Sequence, residues 1–310
     1  SASAQKVRKG LSQLCRLTDQ TLQELWRISG LSSPLCLLAV GGYGRGELFP
    51  YSDVDVLVLL PNDCHLEQDE LLKHKVEQFI GRCWDTGLEI GSSVRTLDEC
   101  LLESAQDITI QTSLLEARHL AGCRKLSRDF YRRYSEAMDP HAFFVAKTLE
   151  MNQRHTKYEN TPYALEPNCK ESPGGLRDLQ ILLWVAKATG LGDSWMALSQ
   201  KGLITPLEAR QLKRNEALMS LIRVRLHLAA GRREDRLVFD LQAQVAQMLG
   251  MGLDAQGEFN ARIGSEKLMR SYYWAAKAVT QLNQIVLLNI EAHLRRDELV
   301  TVVPINERFQ

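Results

Sequence analysis

The sequence contains no run of about 18 consecutive apolar residues, and this excludes an ordinary membrane-spanning helix. It also lacks net charge, with 38 basic side chains against 38 acidic ones. No whole-chain field therefore draws it to nucleic acid, to a membrane surface or to an acidic partner, and neither nucleic acid nor membrane is expected among its ligands. Cys-x-x-Cys is missing, as is any Cys/His grouping with zinc spacing; the seven cysteines, at 15, 36, 64, 83, 100, 123 and 169, are odd in number and widely separated. They read as reduced thiols in small apolar sites of a cytoplasmic protein. There is no internal repeat and no low-complexity segment. The first ten residues carry neither an initiator Met nor a following apolar signal core, so no targeting peptide is expected.

What is present is a chain of 310 residues with 45% hydrophobic content, enough for two domains with separate cores. Its most informative stretch runs from Cys36 to Val58. An apolar segment ends in Gly41-Gly42-Tyr43-Gly44-Arg45-Gly46-Glu47, and a second apolar segment opens with Asp53-Val54-Asp55. If the second segment is extended, Asp53 and Asp55 leave the same face, because strand side chains alternate. Two adjacent carboxylates repel each other and call for a shared proton or a cation, and a hard divalent ion such as Mg²⁺ prefers oxygen ligands. Gly41, Gly42 and Gly44 permit close backbone approach, so their N–H groups suit phosphate oxygens, and Arg45 adds a planar permanent charge. Either motif alone is weak. Together they describe a unit that holds a metal–nucleotide complex.

Around this stretch the periodicities are mostly helical. Residues 5–29 space Leu11, Leu14, Leu17, Leu22, Leu25 and Trp26 as one or two helices. Residues 66–84 place Leu72, Val76, Phe79 and Cys83 on one helical face. Leu88 to Thr96 alternates as a third strand, and residues 113–122 contain room for one more before a Gly turn. Beyond these, a loop from Leu165 to Asp178 carries two prolines and adjacent glycines and feeds a helix. Its Lys170-Glu-Ser-Pro-Gly-Gly175 run suits an anion at a helix N-terminus as well as it suits ordinary helix capping from Ser172 and Pro173. Thr205-Pro-Leu-Glu208 is a capping box, and residues 265–294 carry a seam of Leu268, Tyr272, Ala275, Val279, Leu282 and Val286. These readings divide the chain into an N-terminal helical segment (1–34), a nucleotide-handling domain (35–135) and an all-helical bundle (136–310).

The glycine string followed by Asp53-Val54-Asp55 resembles the nucleotidyltransferase superfamily that includes DNA polymerase β. The fuller set of Gly41 to Leu48, Ser52 to Asp55, Ser93 to Thr96, Ser113 to Arg118, Glu166 to Asp178 and Pro304 to Phe309 is similar to the bacterial PII uridylyltransferase/uridylyl-removing family. The resemblance implies an α+β fold: a polymerase β-like domain with a small mixed sheet, followed by an all-α bundle. It implies a third carboxylate from a neighbouring strand, for which Glu89 is chosen over Asp85, and it adds Ser52 and Lys170 to the nucleotide-binding set. Asp53, Asp55 and Glu89 are then the catalytic, Mg²⁺-binding residues. The expected reaction is Mg²⁺-dependent transfer of UMP from UTP to a tyrosine of the PII signalling protein. Uridylyl removal is not expected, because no His-Asp dipeptide occurs and the histidines form no cluster. Adenylyl transfer to glutamine synthetase, or a non-catalytic nucleotide sensor, are the alternatives.

Overall fold

The computed structural model describes the backbone of residues 2–299 and the side chains of residues 7–295. The motif at Pro304 to Phe309 lies outside the described residues. The chain forms two compact units: one comprises the residues up to Met138 together with Gly231–Arg233, the other Asp139–Ala230 and the residues from Glu234 on.

The first unit holds α1 (Ala2–Ile28), β1 (Cys36–Ala39), a one-turn α2 (Gly41–Gly44), β2 (Val54–Leu60), α3 (Glu70–Asp85), β3 (Ile90–Thr96), α4 (Leu97–Gln106), α5 (Ile108–Leu115), β4 (Arg118–Gly122) and α6 (Arg124–Ala137). The sheet order is β3-β2-β1-β4. β1 runs antiparallel to β2 and β4, whereas β2 and β3 are parallel. The sheet is therefore mixed, as the family resemblance implied.

Strand alternation builds two cores. Val54, Val56, Val58 and Leu60 of β2 face one way and pack with Leu37 and Ala39 of β1, Leu22 and Trp26 of α1, and Val76 and Phe79 of α3. Leu57 and Leu59 face the other way, with Cys36 and Leu38, and meet Leu97 and Cys100 of α4, Leu114 of α5 and Phe130 of α6. Since each strand of the pair is buried on both faces, its sequence reads as a continuous apolar run. α1 is a single helix within this unit; its Trp26 meets Phe79 edge-on at 5.4 Å between ring centroids. Leu14 and Leu17, expected on its apolar side, are exposed, and Leu11, Cys15, Leu22 and Trp26 carry the buried stripe.

The second unit is helical: α7 (Pro140–Lys157), α8 (Leu176–Ala188), α9 (Trp195–Gln200), α10 (Pro206–Ala230), α11 (Phe239–Met248) and α12 (Ala261–Leu299). The seam from Leu268 to Val286 is buried throughout. The Thr205–Glu208 capping box forms reciprocally, Glu208 N–H donating to Thr205 Oγ1 at 3.2 Å and Thr205 N–H to the Glu208 carboxylate at 2.7 Å.

The loop before α8 departs from the expected helix start at Ser172. The helix begins at Leu176, with Gly175 as its N-cap. Asn168 Oδ1 accepts from the N–H groups of Lys170 and Glu171, closing the loop on itself. Asp178 Oδ2 accepts the Gly174 N–H at 2.7 Å, so a carboxylate of the chain itself occupies the place where an external anion was one of two expectations. Burial alone would raise the Asp178 carboxyl, but hydrogen bonds and charge from His155 and Arg154 outweigh it and hold the group below its ordinary range.

Gly174 shows why the motif needs glycine. It has φ +79°, and a methyl group there would overlap the backbone carbonyl of Ala276 in α12. Gly174→Ala combines an overlap that only backbone movement relieves with a disfavoured dihedral, and should cost about 3 kcal/mol or more. Urea titration should show a lower midpoint for the second unit, whereas Gly190→Ala, at a positive-φ glycine with open space around it, should cost less.

Candidate active site

Asp53 immediately precedes β2, and Asp55 is its second residue. Both line one cleft of about 380 Å³, together with Glu89, Trp84, Leu88, Ile90 and Gly91. The expected common face of the two aspartates is thus realised. The third strand starts at Ile90, not Leu88, so Glu89 is not a strand residue. Its carbonyl nevertheless accepts the Val54 N–H at 2.8 Å, which makes it the first rung of the β2–β3 pairing and delivers its exposed side chain to the cleft.

Parallel pairing sets Gly91 opposite Asp55. A methyl group at Gly91 would overlap Asp55 Oδ1. On the other side, a methyl group at Gly41 would lie 3.3 Å from Asp55 Oδ2 and 3.5 Å from Ser113 Oγ. The carboxylate therefore sits between two positions without side chains, one at the start of α2 just beyond β1 and one in β3. Gly91 and Ser113 were not among the residues expected from the sequence. No short-range signal marks Gly91, because its meaning comes from the β2–β3 register.

The glycine string is not an open loop but a single helical turn. The N–H groups of Gly44, Arg45, Gly46 and Glu47 donate to Val40, Gly41, Tyr43 and Gly42 carbonyls at 2.9–3.2 Å. Donors for an external group are thereby limited to the first turn, Gly41 to Tyr43, whose N–H groups precede any intrahelical partner. Gly44, assigned to nucleotide binding, is buried, and a side chain there would overlap the Glu116 carbonyl and approach the Ala39 carbonyl at 2.8 Å. Its lack of a side chain serves packing. Gly42 has ordinary space around it.

Arg45 is committed to the protein. Its Nε donates to Glu47 at 2.9 Å and its Nη1 to the buried Glu116 at 3.3 Å. Burial alone would pull this guanidinium down, and the two carboxylates more than reverse that, holding it above its ordinary value. It braces the turn against the α5–β4 connection. A second brace comes from α1: Asp19 accepts from Tyr43 Oη at 2.6 Å and from Arg118 Nη1 at 2.8 Å, while Arg118 Nε donates to the Gly44 carbonyl at 3.2 Å.

Ser52 stands one residue before Asp53, and its Oγ is buried without a hydrogen-bond partner among the described atoms. Arg233, which the sequence reading did not single out, donates from Nη1 to Asp53 Oδ2; it belongs to the short Gly231–Arg233 segment counted with the first unit. Lys170 lies in the second unit, with its ammonium 3.7 Å from Glu171. Burial, with Arg177 and Arg223 nearby, pulls its pKa below the ordinary value.

These observations test whether a Mg²⁺ ion suits the site. Two hard carboxylates face one cleft of about 380 Å³, the flanking glycines make room for the Asp55 carboxylate, and the buried hydroxyl of Ser52, one residue before Asp53, is unsatisfied. Donor chemistry and space both fit the ion. Among the described residues no three His, Cys, Asp or Glu side chains come together as a ready ion cage, so Glu89 shares the cleft without closing a triad.

Comparison with known proteins places the chain among nucleotidyltransferases. A family model described as GlnD PII-uridylyltransferase matches residues 142–287, and a nucleotidyltransferase domain model matches residues 21–110. The bifunctional uridylyltransferase/uridylyl-removing enzyme of Cupriavidus pinatubonensis is 58% identical over 299 residues, covering 96% of this chain and 33% of the relative. That of Cupriavidus metallidurans is also 58% identical, over 96% of this chain and 34% of the relative. The Burkholderia orbicola enzyme of the same description is 57% identical over 94% of this chain and 33% of the relative. The chain thus spans about a third of the length of these curated relatives. Among the described residues, no helix is long and apolar enough to cross a membrane.

Gly91→Ala should push the Asp55 carboxylate out of position at little cost in stability, because the atom that must move is the end of a side chain. Calorimetric titration with Mg²⁺ or Mn²⁺ should show affinity reduced by about tenfold or more, the effect typical of disturbing a ligand's support. The unfolding midpoint should stay close to that of the parent.

Proposed function

Because the chain belongs to the family of bifunctional uridylyltransferase/uridylyl-removing enzymes, we propose that its first unit transfers UMP from UTP to a tyrosine hydroxyl of a PII signalling protein, with Mg²⁺ as the cofactor. The observation that carries this reading is the placement of Asp53 and Asp55 on one face, in one cleft, next to the glycine turn.

Asp53 and Asp55 are assigned to the metal, and Glu89, which lines the same cleft, would become the third carboxylate by closing toward them when the ion binds. When bound, the ion supplies charge neutralisation to the triphosphate and to the phosphorus under attack. The N–H groups at the start of the Gly41–Gly44 turn would serve as donors to the phosphates, and Ser52, which precedes Asp53 in sequence and whose Oγ is buried, would join them only on a local rearrangement. Arg233, paired with Asp53 in the chain alone, has to exchange that carboxylate for another anion when a cation takes its place. Arg45 acts indirectly, by holding the turn to Glu116. The phenolic oxygen forms a bond to the α-phosphorus, the bond from that phosphorus to the β-phosphate oxygen breaks, and pyrophosphate leaves with the electron pair. The phenolic proton passes to solvent. Catalysis of this kind rests on alignment and on fixed charge.

The test mixes the 310-residue chain with PII protein, Mg²⁺ and UTP labelled at the α-phosphate. Label should appear on PII with release of pyrophosphate, and ATP should not replace UTP. Asp53→Asn should reduce the rate by at least about a hundredfold, as loss of a metal-held charge does, with the circular dichroism spectrum unchanged. Transfer at the parent rate by this variant refutes the assignment. Label from ATP on glutamine synthetase, or no pyrophosphate at all, refutes the reading itself.

A further inference from the structure

The cleft beside the carboxylates has an apolar wall that the proposed chemistry has not used. Trp84, in the last turn of α3, is 62% exposed and lines the cleft with Leu88 and Ile90. A large aromatic side chain left open to solvent next to paired carboxylates is the informative kind of exposure, since stray exposed apolar residues rarely converge on a charged cleft. None of the residues lining the cleft carries positive charge, although Arg233 donates to one of them, Asp53.

Position on the sheet says what this wall can meet. Asp55 lies on β2, with Gly41 at the β1 end of its carboxylate and Gly91 of β3 at the other. Oδ2 is turned to the glycine turn and Oδ1 to β3. In a displacement at phosphorus, entering and leaving oxygens lie on opposite sides of the phosphorus atom. With pyrophosphate on the glycine-turn side, the entering oxygen must come from the β3 side, where Glu89, Leu88 and Trp84 stand. Charge agrees with this division. The pyrophosphate end needs a cation to lie beside Asp53 and Asp55, whereas an uncharged phenol can lie against Glu89 without one. Its ring gains from an indole face, and its hydroxyl reaches toward the carboxylates.

We infer that Trp84, with Leu88 lining the same cleft, forms the seat for the aromatic ring of the acceptor tyrosine, and that the β3 side of the cleft is the acceptor subsite. This rests on the uridylyl-transfer reading above and names a residue that positions the acceptor. Trp84 holds the ring by contact; it neither accepts a proton nor touches the phosphates.

Steady-state transfer to PII separates this from a base-stacking role. Trp84→Ala should raise KM for PII by about tenfold, the effect expected of truncating an aromatic anchor. Equilibrium dialysis with UTP and Mg²⁺ should give the same Kd for parent and variant within about twofold. Trp84→Phe, which keeps a ring, should recover most of the lost acceptor affinity. A variant whose UTP affinity falls while KM for PII stays unchanged overturns the assignment and makes the indole a nucleobase platform. Unchanged values for both ligands also overturn it. A parent chain that labels no PII overturns the functional reading first and this inference with it, an outcome distinct from normal parent transfer that Trp84→Ala leaves intact.

Discussion

The carboxylate of Asp55 depends on two side chains that are not there. Paired on one flank by the end of β1 and on the other by β3, it occupies space that any residue larger than glycine at position 91 would take, and comes within contact distance of the place a side chain at 41 would fill. Both neighbours are fixed by backbone pairing. The Val40 N–H donates to the Asp55 carbonyl at 3.0 Å, and the β2–β3 register places Gly91 opposite. The mixed sheet is thus more than a scaffold, because an antiparallel partner supplies one empty position and a parallel partner supplies the other.

Holding the glycine turn in that place requires charged groups that are largely withdrawn from water. Arg45 with Glu47 and Glu116, and Arg118 with Asp19 and Tyr43, join α1, the turn and the start of β4 by hydrogen bonds of 2.6–3.3 Å. Partly buried ion pairs are poor sources of net stability, since desolvation offsets most of their attraction. Their value here is geometric. A turn of four residues, Gly-Gly-Tyr-Gly, has one side chain to anchor it, the buried Tyr43, and planar guanidinium groups with several donors each add a hold on its carbonyls and its outer face. In the same way the second unit spends Asp178 on Arg154, His155 and the Gly174 N–H, which locks the entry to α8.

Much of this was legible in the chain because it is local. The common face of Asp53 and Asp55 follows from strand alternation, the two buried strands from their apolar runs, and the Thr205 cap from four adjacent residues. The seam of α12 follows from helical spacing alone. The parts that escaped depend on partners distant in sequence. Arg233 meets a carboxylate 180 positions earlier, and Arg45 meets one 71 positions later, so neither commitment is visible in a window of neighbours. Trp84 read as one more residue of a helix because its significance lies in the strand that follows the helix. Ser172 looked like a helix start, yet Asn168 closes the loop earlier and moves the first helical residue to Leu176, since a side-chain oxygen that satisfies two N–H groups competes with the helix for them.

The glycines show most sharply what sequence cannot resolve. Gly41, Gly44, Gly91 and Gly174 are equal as letters, and the first two even belong to one motif. A methyl group at Gly44 or Gly174 would run into a backbone carbonyl, which can yield only if an element moves; those glycines serve the fold. A methyl group at Gly41 or Gly91 would meet the carboxylate of Asp55, which can swing aside while the sheet stays as it is. Glycine at position 91 preserves the placement of a charge and contributes little to stability, whereas Gly41, at φ +57°, also supplies a backbone conformation that other residues adopt only with strain. Selection for folding alone has little hold on position 91, whereas chemistry that needs the carboxylate in one orientation does. The chemical glycines of the first unit are therefore those whose missing side chain leaves space for a functional group, and they lie on both sides of the same aspartate.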